Sequence, residues 1–158
     1  MKLELVAVGR PDARLAEAIR EYEARASRYW PFESVEVKAE RAGRGVGPAE
    51  VRRAESARLR DRVGPGLDVV ALTRMGRGLT SMNLAAYIQE LALRSLPGAA
   101  FVIGGAYGLS EELIRSADRR LSLSTLTLPH DLARLVLVEQ LYRAGTIARG
   151  EPYHKGGS

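Results

Sequence analysis

Short aliphatic segments alternate along this chain with segments of helical period, and that alternation restricts the fold more than any other feature of the sequence. Lys2–Val8 carries Leu3, Leu5, Val6 and Val8 and reads as a strand stopped by Gly9. Asp12 caps a helix running to about Arg28, with Leu15, Ile19, Tyr22, Ala26 and Tyr29 three or four apart on one face. Phe32–Val37 is a second strand after Pro31. Ala39–Pro48, broken by three glycines, is a loop excursion, and Ala49–Arg62 is a highly charged helix with a thin apolar stripe of Val51, Ala54, Leu59 and Val63. Leu67–Thr73 and Ala99–Ile103 are nearly continuous apolar runs, the pattern of strands covered on both faces. A glycine-broken loop, Arg74–Gly78, separates the first of these from a helix capped by Thr80 or Ser81 and running to about Arg94. Ser110 with Glu111 and Glu112 starts a helix reaching about Arg120. Leu121–Leu128 alternates Leu with Ser or Thr and reads as a strand ended by Pro129, and Asp131–Ala148 is the last helix. Such an order predicts an α/β fold: one mostly parallel sheet with helices on both faces. With no internal repeat and no linker, residues 1–158 are expected to form a single domain.

Composition narrows the chemistry. The 158 residues contain no cysteine, which removes thiol catalysis and thiolate–zinc sites, and only two histidines, His130 and His154. No metal is therefore expected. No apolar run approaches the ~20 residues that span a bilayer. The opening Met-Lys-Leu-Glu-Leu-Val lacks the features of a signal peptide, so a cytoplasmic protein with no membrane partner is expected. The net charge of +5 favours polyanionic partners such as RNA. A solvated basic surface explains it as well, since only three of the 24 basic residues are Lys.

Open parallel sheets bind ligands beyond the carboxyl ends of their strands. Three such ends are unusual here: Leu72-Thr73 leading to Gly76 and Gly78, Ile103 running into Gly104-Gly105-x-x-Gly108, and Leu123–Leu128 running into Pro129-His130. Glycines at a strand end let backbone approach a ligand, although a tight turn without a ligand has the same composition. A dinucleotide fingerprint would follow the first strand, where only Gly9 stands, and no Gly-x-x-x-x-Gly-Lys-Ser/Thr loop exists. The polar, alternating Leu123–Leu128 run is either a strand with one polar face or a main-chain cradle for an adenine. In the last helix Glu139 and Arg143 stand four apart, by default a surface ion pair. His130 after Pro129 reads as a structural loop histidine. Tyr153-His154-Lys155 is an aromatic and cationic tail of a kind that stacks a base and grips a phosphate, or simply frays.

Five stretches together carry a resemblance: Lys2-Leu-x-Leu-Val-Ala-Val-Gly9, Val102-Ile-Gly-Gly-x-x-Gly-Leu109, Leu121-Ser-x-Ser-x-Leu-Thr-x-Pro-His130, Glu139-Gln-Leu-Tyr-Arg-Ala144 and Pro152-Tyr-His-Lys155. Along essentially its whole length the chain resembles the RlmH family of SPOUT-class methyltransferases. The resemblance implies a C-terminal trefoil knot, a homodimer, S-adenosylmethionine as cofactor, and methylation of N3 of a pseudouridine in large-subunit (23S) ribosomal RNA on the ribosome. It places the cofactor on Leu72, Gly104, Gly105 and the run Leu123, Ser124, Thr125, Leu126, Thr127 and Leu128. His154, Arg143 and Tyr153 become the candidate catalytic groups: base or base-positioner, clamp on uracil oxygens or a phosphate, and stacking surface. The tail of one subunit would complete the cofactor pocket of the other. Two positions depart from the family pattern, Thr73 where an acid is usual and Gly76-Arg77 where Gly-Lys is usual, and the second change keeps charge but alters geometry. The competing classes are a non-catalytic RNA-binding ribosome assembly factor on the same scaffold and a small nucleotide-binding protein using Gly104–Gly108.

Overall fold

A computed structural model of the chain describes residues 1–153. Its elements are β1 (Lys2–Val8), α1 (Ala13–Ala26), β2 (Phe32–Val37), α2 (Pro48–Arg62), β3 (Asp68–Gly78), α3 (Ser81–Leu93), β4 (Gly98–Ile103), α4 (Glu111–Ser116), β5 (Arg119–Ser122) and α5 (His130–Ala148). The strands form one sheet in the order β2-β1-β4-β3-β5, and every pair is parallel. The expected α/β class is therefore observed, with the "mostly parallel" sheet parallel throughout.

Period-2 side-chain alternation divides the core between the two faces. Leu3, Leu5, Val70, Phe101 and Ile103 point to one side, where Ile19 of α1, Leu84, Ile88 and Leu91 of α3, and Leu137 and Leu141 of α5 cover them. Val6, Val8, Ala71 and Val102 point to the other, under Leu59 of α2 and Leu113 of α4. β4 is buried along its whole length, as its uninterrupted apolar sequence requires. Fully burying each leucine-sized side chain contributes about 1.5–3 kcal/mol, so these two layers dominate the stability of the fold.

Helix starts follow their caps. Asp12, Thr80 and Ser110 each accept a hydrogen bond from the first turn of α1, α3 and α4. Arg134 of α5 is buried and donates to Glu36 at 2.7 Å, Ser34 at 3.0 Å and Glu23 at 3.3 Å, which pins α5 to β2 and α1.

Three expected boundaries change. The fourth helix stops at Ser116 rather than near Arg120, because Arg119–Ser122 leave it to pair with β3. Leu123–Leu128 is not a strand. The Ser122 hydroxyl donates to the Ser124 carbonyl at 3.0 Å and Leu126 N–H donates to Ser124 Oγ at 2.9 Å. Such local side-chain bonds compete with a ladder and turn the backbone out of the sheet. The Arg74–Gly78 loop is instead extended: after a register shift between Leu72 and Arg77 it pairs again with β5, Arg77 opposite Leu121 and Gly78 opposite Ser122.

Candidate active site

The carboxyl ends of β3, β4 and β5 open into a cleft of about 790 Å³. Leu72 comes from β3, Gly104, Gly105 and Tyr107 from the turn after β4, and Leu123, Ser124, Leu126, Thr127 and Leu128 from the segment after β5. Pro129, His130 and Ala133 close it from the start of α5. All the residues that the resemblance assigns to the cofactor meet here except Thr125, which is not among the lining residues; Gly76 and Gly78 of the first strand end are not among them either. The volume is that of a site for a drug- or cofactor-sized molecule.

Gly104 shapes the turn. A Cβ there would lie 2.5 Å from the Gly108 carbonyl carbon and 2.8 Å from Leu109 N, so only a residue without a side chain lets the strand end fold back on itself. Gly105 is confined less tightly, by side chains rather than backbone, with Glu55 Oε1 2.9 Å and Val8 Cγ1 3.2 Å from where its Cβ would be. The Leu123–Leu128 segment contributes main chain as well as side chains. It lies outside the ladder, with the Ser124 carbonyl and the Leu126 N–H bonded to the hydroxyls of Ser122 and Ser124, while Leu126 is 73% exposed.

His130 was read from sequence as structural, yet it lines the cleft. Its Nδ1 lies 2.8 Å from Asp131 Oδ1, and Asp131 Oδ2 accepts the Asp12 N–H at 2.9 Å. An imidazole with Nδ1 on a carboxylate keeps Nε2 as its second functional atom.

Arg143 and Tyr153 form a separate cluster. Arg143 donates to Glu139 Oε1 from Nη2 at 2.6 Å and from Nε at 3.1 Å, and the Tyr153 hydroxyl donates to the same oxygen at 3.0 Å. The guanidinium lies over the Tyr153 ring, 4.9 Å from its centroid. The Glu139 hydrogen bond raises the Arg143 pKa, keeping it cationic. Burial, then hydrogen bonds with Tyr22 and Glu139, push the Tyr153 phenol up, so Tyr153 is no proton acceptor near neutral pH. Glu139–Arg143 is thus more than a surface pair: both side chains are only 19% exposed, and Glu139 ties the tail to α5. Tyr22, Tyr29 and Tyr142 surround the cluster, with Tyr142 and Tyr153 centroids 4.6 Å apart.

Tyr29 donates to Glu151, which anchors the start of the tail to the turn after α1. That bond, with burial second, pushes the Tyr29 phenol up to about 12. A phenol whose folded pKa is raised stabilises the fold in full below its ordinary value near 10, and the contribution fades as pH rises toward about 12. Thermal melts should show wild type above Tyr29→Phe by a constant margin up to about pH 9, shrinking between about 10 and 12. A margin independent of pH over that window would refute the Tyr29–Glu151 bond.

The cleft and the Arg143 cluster do not meet within one chain. Ala133 touches the cleft, and Arg143 follows ten residues later on the same helix, a rise of about 15 Å. His154 lies outside the described residues. The arginines near these openings are dispersed: Asp12 engages Arg14 through both oxygens, Arg74 lines the cleft, and Arg77 lines a smaller hollow of about 320 Å³ with Tyr87 and Arg119. Among the described residues no three metal-capable side chains cluster, and no helix is long and apolar enough to cross a membrane.

This arrangement can be compared with known proteins. Residues 1–154 match the family model described as "Predicted SPOUT methyltransferase". A protein of Gemmatimonas aurantiaca named "Ribosomal RNA large subunit methyltransferase H" is 49% identical over 156 residues, 98% of this chain and 100% of that protein. The chain belongs to the RlmH family of SPOUT methyltransferases. Proteins of the same name from Syntrophotalea carbinolica and Anaeromyxobacter dehalogenans are 45% and 48% identical, each over 98% of this chain. At the level of fold alone, a methylase family protein from Haemophilus influenzae superposes with a TM-score of 0.51 at 13% identity, covering 96% of this chain and 69% of that one. One from Neisseria gonorrhoeae gives 0.53 at 16%, covering 90% and 82%. This SPOUT enzyme is a methyltransferase, as the five sequence stretches implied. Local spacing reads Glu139 only as half of a surface ion pair and His130 only as a structural loop histidine. What singles them out is tertiary: one gathers three donors, and the other faces the cleft.

Proposed function

We propose that the chain methylates large-subunit ribosomal RNA in the cytoplasm, taking the methyl group from S-adenosylmethionine held in the cleft between Leu72, Gly104–Gly105 and Leu123–Leu128. The observation that carries this reading is the cleft itself. A turn whose Gly104 leaves no room for a side chain, faced by leucines and by a segment outside the ladder, suits an adenosine with a polar, charged tail. S-adenosylmethionine supplies an activated methyl on a positively charged sulfur, and that chemistry needs no metal. Leu72 and the leucines of 123–128 would hold the apolar surface of the nucleoside, and the main chain of 104–105 and 123–128 would serve its polar groups. Thr125 belongs to this set through its backbone rather than as a wall.

The acceptor reading is finer: N3 of a pseudouridine in the 23S RNA of the ribosome, which must lose a proton as it accepts the methyl. Arg143 orients the uracil oxygens or a phosphate, Tyr153 stacks on the base, and His154 holds or accepts the proton. His130, inside the cleft and oriented by Asp131, is the second candidate for the proton. His154→Ala that abolishes turnover while His130→Ala retains it assigns the role to His154, and the reverse assigns it to His130. Because about 15 Å of helix separates the Arg143 cluster from the cleft of its own chain, the complete site is shared in a homodimer, one subunit giving the cleft and its partner the tail. The deep trefoil knot and a single domain over 1–158 belong to the same reading.

The direct test is calorimetry with S-adenosylmethionine and its demethylated product, followed by mass spectrometry of ribosomal RNA from a deletion strain. Donor binding and loss of one methyl from the 23S RNA are expected. Binding of neither compound would favour an assembly factor on the same scaffold.

A further inference from the structure

Helix α2 is strongly charged and shows little apolar face, yet two of its polar residues are buried: Glu55 is 3% exposed and Ser56 is 4% exposed. Both are directed at the glycine turn that walls the cleft. At the exit of the turn, Ser56 Oγ accepts the N–H of Ser110 at 2.9 Å. At its entrance, Glu55 Oε1 and Oε2 stand 2.9 Å and 3.2 Å from where a Gly105 Cβ would lie. Oε2 accepts the N–H of Glu40 at 3.1 Å, while Oε1 is buried and has no hydrogen-bond partner among the described residues.

A buried acceptor left without a donor costs free energy, and it asks for an explanation where it persists. Here the missing donor has an obvious source. The turn that presses on Oε1 carries main-chain N–H groups, and its other side lines the cleft. The turn thus lies between Glu55 and the cleft. We propose that Glu55 is a positioning residue for the methyl donor: when the cleft fills, a main-chain N–H of Gly105 or Ala106 donates to Glu55 Oε1, clamping the turn between α2 and the ligand. The clamp is continuous with the 39–47 excursion, because Arg58, one turn further along α2, donates to the Lys38 carbonyl at 2.9 Å and to Glu40 at 2.5 Å. The proposal rests on the cleft being the donor site.

Glu55→Gln tests it. Glutamine keeps the size and leaves a carbonyl for the Glu40 N–H, but turns an NH2 donor toward the glycine turn. The affinity for S-adenosylmethionine and its KM should change by about tenfold, the value of one hydrogen bond, with kcat at saturating donor kept within about twofold. A purely structural residue would instead lower the melting temperature and leave the donor KM unchanged. The second measurement is amide hydrogen exchange on wild-type protein: adding S-adenosylmethionine should slow exchange across 105–108. Wild-type affinity in Glu55→Gln, or donor binding that leaves exchange at 105–108 unaltered, overturns the clamp; the exchange result decides if the variant does not fold. A wild-type protein that binds no donor overturns the cofactor reading and the clamp together.

Discussion

Gly104→Ala should lose up to about 100-fold in affinity for S-adenosylmethionine while the protein stays folded. The added Cβ would lie 2.5 Å from the Gly108 carbonyl carbon, 2.8 Å from its oxygen and 2.8 Å from Leu109 N. All three are backbone atoms, so no side chain can swing aside, and the turn itself must open. Forcing one carbon into a close-packed site costs about 1–3 kcal/mol, the upper end of which is a 100-fold change. The strain falls on the wall of the cleft, beyond the last β1–β4 pair at Ala7 and Ile103, so the sheet register is spared. Calorimetry against the donor and a thermal melt read the two effects separately. Tight donor binding by the alanine variant would mean that the glycine turn is only a connection between β4 and α4.

Arg143→Ala should reduce turnover by about 100-fold with donor affinity unchanged, because the donor is held by the cleft residues and Arg143, which is not among them, acts on the acceptor. Removing it also strips Glu139 of its main partner, leaving a carboxylate only 19% exposed with the Tyr153 hydroxyl and Gln140. RNA binding should weaken and its salt dependence flatten by about one charge, and an unaltered slope would refute a phosphate contact. Lysine at 143 restores the charge but not the two-pronged hold on Glu139, so it should rescue only partly. Mixing the two inactive variants decides how the site is built. If cleft and tail come from different subunits, a Gly104→Ala/Arg143→Ala heterodimer contains one intact site, and random exchange returns about a quarter of wild-type activity. If each chain builds its own site, the mixture stays inactive.

What could be read before folding was whatever depends on local period and local chemistry. Uninterrupted apolar runs at Leu67–Thr73 and Ala99–Ile103 marked the buried strands, caps at Asp12, Thr80 and Ser110 marked helix starts, and the glycine turn after Ile103 marked the wall of a cleft. Where period and local chemistry conflicted, the reading failed: Leu121–Leu128 has the alternation of a strand, but the hydroxyls of Ser122 and Ser124 take up the backbone and turn most of it into a cleft wall.

Burial pattern and capping act over a few residues, and the α/β class, the parallel sheet and the glycine turn that lines the cleft follow from them. Tertiary packing settles which segments meet. It carried Leu72, Gly104 and Leu123 from three strands to one opening, set the Arg143–Tyr153 cluster a helix length away from it, and buried Glu55 behind the turn. These are contacts between residues tens of positions apart, fixed by how helices pack across the two faces of the sheet, and no local period encodes them.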